Sequence, residues 1–274
     1  MARGPLPGPG RGDLSRAGRG GRLPTIAPVP ACLNISTYKF VALDDLPARR
    51  ERLHARALAL DLKGTILLAE EGINLFLAGA PEAVRAMVTT LREDPALADL
   101  DPKESWSEAV PFLRLKVKVK AEIIRMNRPA VRPADGRAPA VDPRTLARWL
   151  DAGVDDEGRE VVMLDTRNDF EVDHGAFEGA VDWRLRKFSE FPAAVEANRA
   201  ALEGRTVVSY CTGGIRCEKA ALVLQDAGLS NVYQLEGGIL RYFELTQGAP
   251  HWRGHCFVFD ERVDLAADLR PAAA

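Results

Sequence analysis

The chain has 274 residues, 46% hydrophobic and 28% charged, with a formal net charge of −2. That is the composition of a globular protein long enough for two ordinary domains. So small an acidic excess gives overall charge no part in attracting nucleic acid or membrane, although 29 arginines against 8 lysines leave room for local basic patches. The cysteines, Cys32, Cys211, Cys217 and Cys256, are too few and scattered for a disulfide framework. No apolar run reaches the length of a membrane span, and no apolar stretch opens the chain as a secretion signal, so a cytoplasmic location is expected.

Residues 1–30 are rich in glycine, proline and arginine and nearly free of large apolar side chains. Such a stretch cannot bury enough surface to offset its ordering entropy, which predicts a disordered extension. The first folded unit is expected over 31–126. "LNISTYKFVAL" reads as a strand rich in β-branched and aromatic residues. "LPARRERLHARALAL" follows as a helix with Leu46, Leu53, Ala57 and Leu60 on one face. "GTILLAEEGINLFLAG" gives two short strands about the turn Glu70-Glu71-Gly72, and "PEAVRAMVTTLRED" a second helix opened by Pro81. "FLRLKVKVK" is predicted as the last strand, completing the β-α-β-β-α-β order of a ferredoxin-like sandwich. On that strand Arg114, Lys116, Lys118 and Lys120 alternate with apolar residues, so four cations share one face at spacings of about 6.7 Å. They form either the solvated side of a half-exposed sheet or a track for phosphates.

The proline-rich stretch 127–139 reads as a linker. Over 140–248 short apolar strands ("VVMLD", "TVVSY", "NVYQL") alternate with helical patterns, which implies a parallel sheet. The whole is thus an α/β chain, with a ferredoxin-like sandwich followed by a parallel-sheet domain. Residues 249–274 carry only "HCFVFDERV" and are expected to form a weak tail.

In an open parallel sheet ligands sit outside the carboxyl ends of the strands, and Cys211 stands there, directly after "TVVSY". Thr212, Gly213, Gly214, Ile215 and Arg216 turn the chain into the next helix. The backbone N–H groups of that turn form an anion nest, and a thiolate held there should be exposed and low in pKa, the more so if Arg216 faces inward. Only four residues separate Cys211 from Arg216. That loop is tighter than a phosphate cradle and fits a single outer sulfur atom, hence a persulfide. Asp165 and Arg167 end a neighbouring strand at the same sheet edge, either shaping the site or tying the loop to the sheet. Cys217, six positions after Cys211, either resolves an oxidised sulfur as a disulfide or fills the helix's inner face. Arg184, Arg186 and Lys187 form a second basic cluster, expected near the mouth of the loop. His251, His255 and Cys256 make a weak metal reading, since Pro250 and Gly254 break the helix their spacing would need, and no dinucleotide, P-loop or zinc motif is visible. No metal site is therefore expected, and no cofactor is identified.

"DTRNDFEVDHGAFEGAV" (Asp165–Val181), "YCTGGIRCEKAA" (Tyr210–Ala221) and "QLEGGI" (Gln234–Ile239) resemble a rhodanese-like domain. Together with "LAEEGIN" (Leu68–Asn74) and "CFVFDERV" (Cys256–Val263), they resemble the bacterial tRNA uridine(34) hydroxylase family from about Leu33 to Val263. The resemblance implies oxygen-dependent conversion of the wobble uridine of tRNA to 5-hydroxyuridine, with molecular oxygen as co-substrate, the anticodon arm as partner and the active cysteine at Cys211. It also turns the basic strand and the Arg184 cluster into candidate tRNA contacts. The rival readings are a thiosulfate-type sulfurtransferase working through a Cys211 persulfide and a non-catalytic binding module.

Overall fold

The computed structural model describes residues 1, 2, 4 and 32–272; the expected disordered extension lies almost wholly outside them. The first sheet begins with β1 (Cys32–Phe40), crosses α1 (Leu46–Ala59) to β2 (Lys63–Ala69), and turns back into β3 (Gly72–Gly79). It then crosses α2 (Pro81–Arg92) to β4 (Lys103–Ser107), with β5 (Leu115–Val119) last. The strand order is β4-β1-β3-β2-β5. The four strands β4, β1, β3 and β2 are mutually antiparallel, as a ferredoxin-like sandwich requires, and β5 is added parallel to β2.

One element therefore differs from expectation. "FLRLKVKVK" is a fifth, edge strand, and the strand that closes the sandwich is "KESWS", whose polar alternation hid it. Leu33, Ile35, Ile66, Leu68, Ile73, Leu75, Leu77 and Val117 on one sheet face bury against Leu53, Ala57, Val84, Met87 and Leu91 of the two helices. Each such side chain removed from water is worth ~1.5–3 kcal/mol. The alternating residues Asn34, Ser36, Tyr38 and Phe40 point the other way, and Ser36 and Tyr38 on that face meet the turn and helix that follow Cys211.

The second sheet contains β6 (Ala140–Val141), β7 (Val161–Asp165), β9 (Val181–Asp182), β10 (Thr206–Tyr210) and β11 (Val232–Leu235) in the order β6-β11-β10-β7-β9. All its pairings are parallel. The helices α3 (Pro143–Ala152), α4 (Asp169–Val172), α5 (Phe191–Asn198) and α6 (Ile215–Asp226) lie between these strands, and α7 (Gly238–Leu245) follows the last of them. The stretch read as a linker is packed down: Val131 and Ala138 are buried in the same core as Leu164, Phe191 and Val207. The expected weak tail also needs correcting. Its strand β12 (Trp252–Gly254) pairs with β8 (Gly175–Phe177), and β13 (Cys256–Phe257) pairs with β14 (Asp264–Leu265). Cys256, Val258 and Leu265 are buried, which is why so short and polar a stretch holds its place.

Helix α6 joins the two sheets. Lys219, fully buried, bonds Glu71 and Glu122 at 2.8 and 2.7 Å and the carbonyl of Ile124 at 3.2 Å. Glu218 accepts from Tyr38 Oη at 3.0 Å, Arg137 Nε at 2.9 Å and Gln234 Nε2 at 3.2 Å. A buried ion left without its partner is costly, so these contacts fix how the sheets meet.

Candidate active site

Strand β10 ends at Tyr210 and the loop Cys211–Gly214 delivers the chain to α6. Gly214 has φ +99°, and a Cβ there would stand 2.9 Å from Tyr38 Oη of the first sheet, so only glycine fits. The start of α7 closes the other side. Ile239 N–H donates to the Cys211 carbonyl at 3.0 Å and Leu240 N–H to that of Thr212 at 3.1 Å. A Cβ on Gly238 would lie 2.4 Å from the Cys211 oxygen. The glycine pair in "QLEGGI" thus permits α7 to reach the loop.

Cys211 differs from expectation in one respect: it is fully buried and not exposed. The open face of the first sheet and the C-terminal segment close over the loop. The cysteine lines a cavity of about 620 Å³ walled by the first sheet, by the loop after β10 and by Val258, Phe259, Asp260 and Arg262. Burial alone would raise its pKa. A hydrogen bond with Cys217, the Arg216 guanidinium and the backbone N–H groups of Arg216 and Gly214 outweigh burial and hold it at about 6. The Gly214 N–H lies 3.2 Å from the sulfur. Cys217 is itself buried, and burial with the neighbouring Cys211 pushes its thiol well above the ordinary range. Cys256, elsewhere in the core, is pushed up to about 12 by burial.

Arg216 does face inward, and it is not alone. Its two terminal nitrogens each sit 2.6 Å from a carboxylate oxygen of Glu171, which has no exposed surface. Desolvation would raise the Glu171 pKa, but Arg216 holds it below the usual range. Glu171 also accepts from the Asn168 N–H at 3.0 Å, fastening α4 beside the loop. Sequence reasoning missed Glu171, although Asn168 followed three residues later by Glu171 is a capping pattern that marks it.

Asp165 and Arg167 are both fully buried and pair with each other at 2.6 Å. Arg167 Nη2 donates to Gly175 O at 2.6 Å, and its guanidinium faces the rings of Tyr210 and Trp252. The pair ties β7 to the C-terminal segment and does not line the cavity.

The first sheet supplies cavity residues that sequence reasoning did not single out. Facing residues in paired strands point to the same side. The register therefore sets Lys103, Ser36, Phe76, Thr65 and Lys116 in one row across β4, β1, β3, β2 and β5. The first three line the cavity, and Thr65 and Lys116 line a groove outside it. A second row runs Tyr38, Asn74, Leu67, Lys118. Burial pulls Lys103 below the usual lysine range, and its Nζ lies 5.4 Å from the centre of the Tyr38 ring.

Among the described residues Arg114, Lys116, Lys118 and Lys120 make no ion pair. The other basic cluster is divided. Lys187 lines the cavity and Arg186 is exposed on the surface. Arg184 is held by Asp173 and Asp182 at 2.7 and 3.1 Å, away from the cavity. His251 and His255 are engaged by Asp151 and Asp264. No group of three metal-ligating side chains occurs among the described residues, nor any helix long and apolar enough to cross a membrane.

Residues 32–123 match the UPF0176 acylphosphatase-like domain family and residues 146–244 the rhodanese-like domain family. The chain is 64% identical over 242 residues to the tRNA uridine(34) hydroxylase of Variovorax paradoxus (strain S110), covering 88% of this chain and 92% of that protein. It is 63% identical over 246 residues to the protein of the same name from Bordetella petrii, covering 90% of this chain and 97% of that one. The solved structure of a rhodanese-like domain from Anabaena sp. is 22% identical, spans 50% of this chain and 87% of its own, and superposes with a TM-score of 0.36.

Proposed function

This chain belongs to the tRNA uridine(34) hydroxylase family, and on that premise we propose that its Cys211 cavity is where the wobble uridine of tRNA becomes 5-hydroxyuridine. The observation that carries the assignment to this cavity is a cysteine in a turn of backbone N–H groups beside Arg216, which lower its pKa, on the wall of a 620 Å³ space formed by the first sheet and the loops around it. Those neighbours favour the thiolate over the thiol. Anticodon-loop bases are single-stranded, so one can swing into such a cavity at modest unstacking cost.

The chemistry follows from uracil itself. Addition of the Cys211 thiolate, or of the persulfide it would carry, to C6 makes C5 nucleophilic toward an oxidant. Molecular oxygen, the co-substrate the resemblance implies, would leave one atom on C5, the other going to water with two electrons and two protons from an external donor. Loss of the C5 proton and departure of the sulfur then restore the ring. The uncommitted cations of β5 would take the phosphates of the anticodon arm.

Accurate-mass analysis of tRNA nucleosides tests this in cells lacking the activity and complemented with the chain. Wild type should restore 5-hydroxyuridine and Cys211→Ser should not. Hydroxylation by Cys211→Ser would sink the cysteine's role. Unmodified tRNA with both proteins would point instead to a sulfur carrier, with thiosulfate as the next substrate to try.

A further inference from the structure

The segment "CFVFDERV" does more than cover the loop. Phe257 and Phe259 meet edge to face with ring centres 5.2 Å apart, and Phe170 of α4 packs on both at 5.2 and 6.4 Å. Two of these rings stay open to solvent: Phe170 is 43% exposed and Phe259 is 53% exposed, with Leu113 beside them at 83%. Single exposed apolar residues need no explanation, but aromatic rings gathered at one rim form a patch that does. Phe259 lies on the boundary between two spaces. It lines the Cys211 cavity on one side and, on the other, the outer groove that also contains Leu113, Arg114 and Lys116.

The rim is rigid. Val258 N–H donates to Val263 O at 2.8 Å, Val263 N–H to Asp260 O at 3.0 Å, and Glu261 N–H to Pro111 O at 3.0 Å. Arg262 pairs with Asp260 at 2.6 Å and donates to Ser105 Oγ of β4 at 2.7 Å, locking the turn to the first sheet. A ring presented this way loses little freedom when something stacks on it.

We propose that Phe259, supported by Phe170 and Phe257, is a stacking ledge for an unpaired nucleobase next to the nucleotide held in the cavity. The proposal rests on the tRNA reading above and adds a second base-binding subsite to it. The occupant is identified by the pairing of an exposed aromatic face with adjacent cations. Every base has a face that stacks on an aromatic ring, and Arg114 and Lys116, uncommitted to any carboxylate among the described residues, stand where the attached phosphate would pass. A nucleotide flanking the reacting one would meet both, since Phe259, Arg114 and Lys116 line one groove. The ledge would also hold the loop splayed, keeping the reacting base from restacking on its neighbour.

A double-substitution experiment separates stacking from charge. Binding of the wild type, Phe259→Ala and Phe259→Trp is measured against an anticodon arm with all bases and against an arm abasic on both sides of the wobble uridine. Phe259→Ala should weaken binding to the intact arm about tenfold with its salt dependence unchanged, and Phe259→Trp should retain it. Against the abasic arm Phe259→Ala should cost almost nothing, because the interaction is already absent. Phe170→Ala should repeat the pattern more weakly. An unchanged affinity for the intact arm, or an equal loss on both arms, overturns the ledge. So does a wild-type dimer in sedimentation that Phe259→Ala dissolves, since the patch would then be a contact between copies. A wild type that does not bind the intact arm overturns the tRNA reading itself, and the ledge with it.

Discussion

The loop after β10 and the edge strand β5 are both rich in charge, and they use it in opposite ways. Around Cys211 the fully buried charges are matched inside the protein: Arg216 by Glu171, Arg167 by Asp165, Lys219 by Glu71 and Glu122. On β5 the cations Lys116 and Lys118 share a face with cavity-lining residues and have no carboxylate partner among the described residues. Buried charge must be settled within the fold because desolvation is costly, and settled charge sets geometry and pKa. Charge left open at a sheet edge is available to something from outside. The contrast separates a region whose charges fix one sulfur from a region whose charges stay uncommitted.

The sharpest way to break that contrast is at the buried pair. Arg216→Gln leaves Glu171 desolvated and unpaired, and removal of one member of such a pair costs ~3–5 kcal/mol. Thermal or urea unfolding should register a loss of that size. The same change removes a positive charge that favours the thiolate, so the pKa of Cys211 should rise above about 6. Alkylation of Cys211 by iodoacetamide, followed by peptide mass against pH, reads this directly. In the wild type the rate climbs as pH rises through about 6, and in Arg216→Gln the midpoint should move upward. A stable variant with an unmoved midpoint would mean that Arg216 neither holds the fold nor tunes the sulfur.

The open cations should respond the other way. Lys116→Glu with Lys118→Glu should leave unfolding and the alkylation profile where they are. Both residues lie on the solvent side of an edge strand, and neither pairs with a carboxylate among the described residues. Binding to tRNA should fall roughly tenfold or more, and the slope of log affinity against log salt should shrink by about one for each phosphate the protein no longer neutralises. Unchanged salt dependence would return the strand to the bland reading, the wet face of a sheet.

How much of this was legible in the sequence depends on the range of the interaction. Cys211, the glycines after it and the helix beyond them are a local strand–turn–helix pattern, and local patterns are what a sequence displays. The alternation in "LKVKV" placed its cations on one face, yet not on an edge strand parallel to β2, because strand order is set by distant pairing. Glu171, Tyr38 and Lys103 reach the loop only through tertiary packing, from 40, 173 and 108 positions upstream of Cys211. The C-terminal segment misled for the same reason. Its few apolar residues look insufficient alone and become a lid only where Cys256, Val258 and Leu265 find a core already made.

Arg184 supplies the smallest and most discriminating test, because charge alone put it among the candidate tRNA contacts. Its guanidinium bridges Asp173 and Asp182, and the pairs stand in solvent away from the cavity. Exposed pairs of this kind contribute little to stability, since water screens them and ordering two side chains offsets the attraction. An arginine already shared by two carboxylates also presents almost no net positive field to a phosphate. Arg184→Ala should therefore change neither the unfolding midpoint nor the tRNA affinity by a measurable amount, while Lys187→Ala, at the cavity wall, should weaken tRNA binding. If Arg184→Ala weakened binding as much as Lys187→Ala, pairing within the protein would be a poor guide to which cations are free. The division between settled and open charge would then lose its predictive use on this surface.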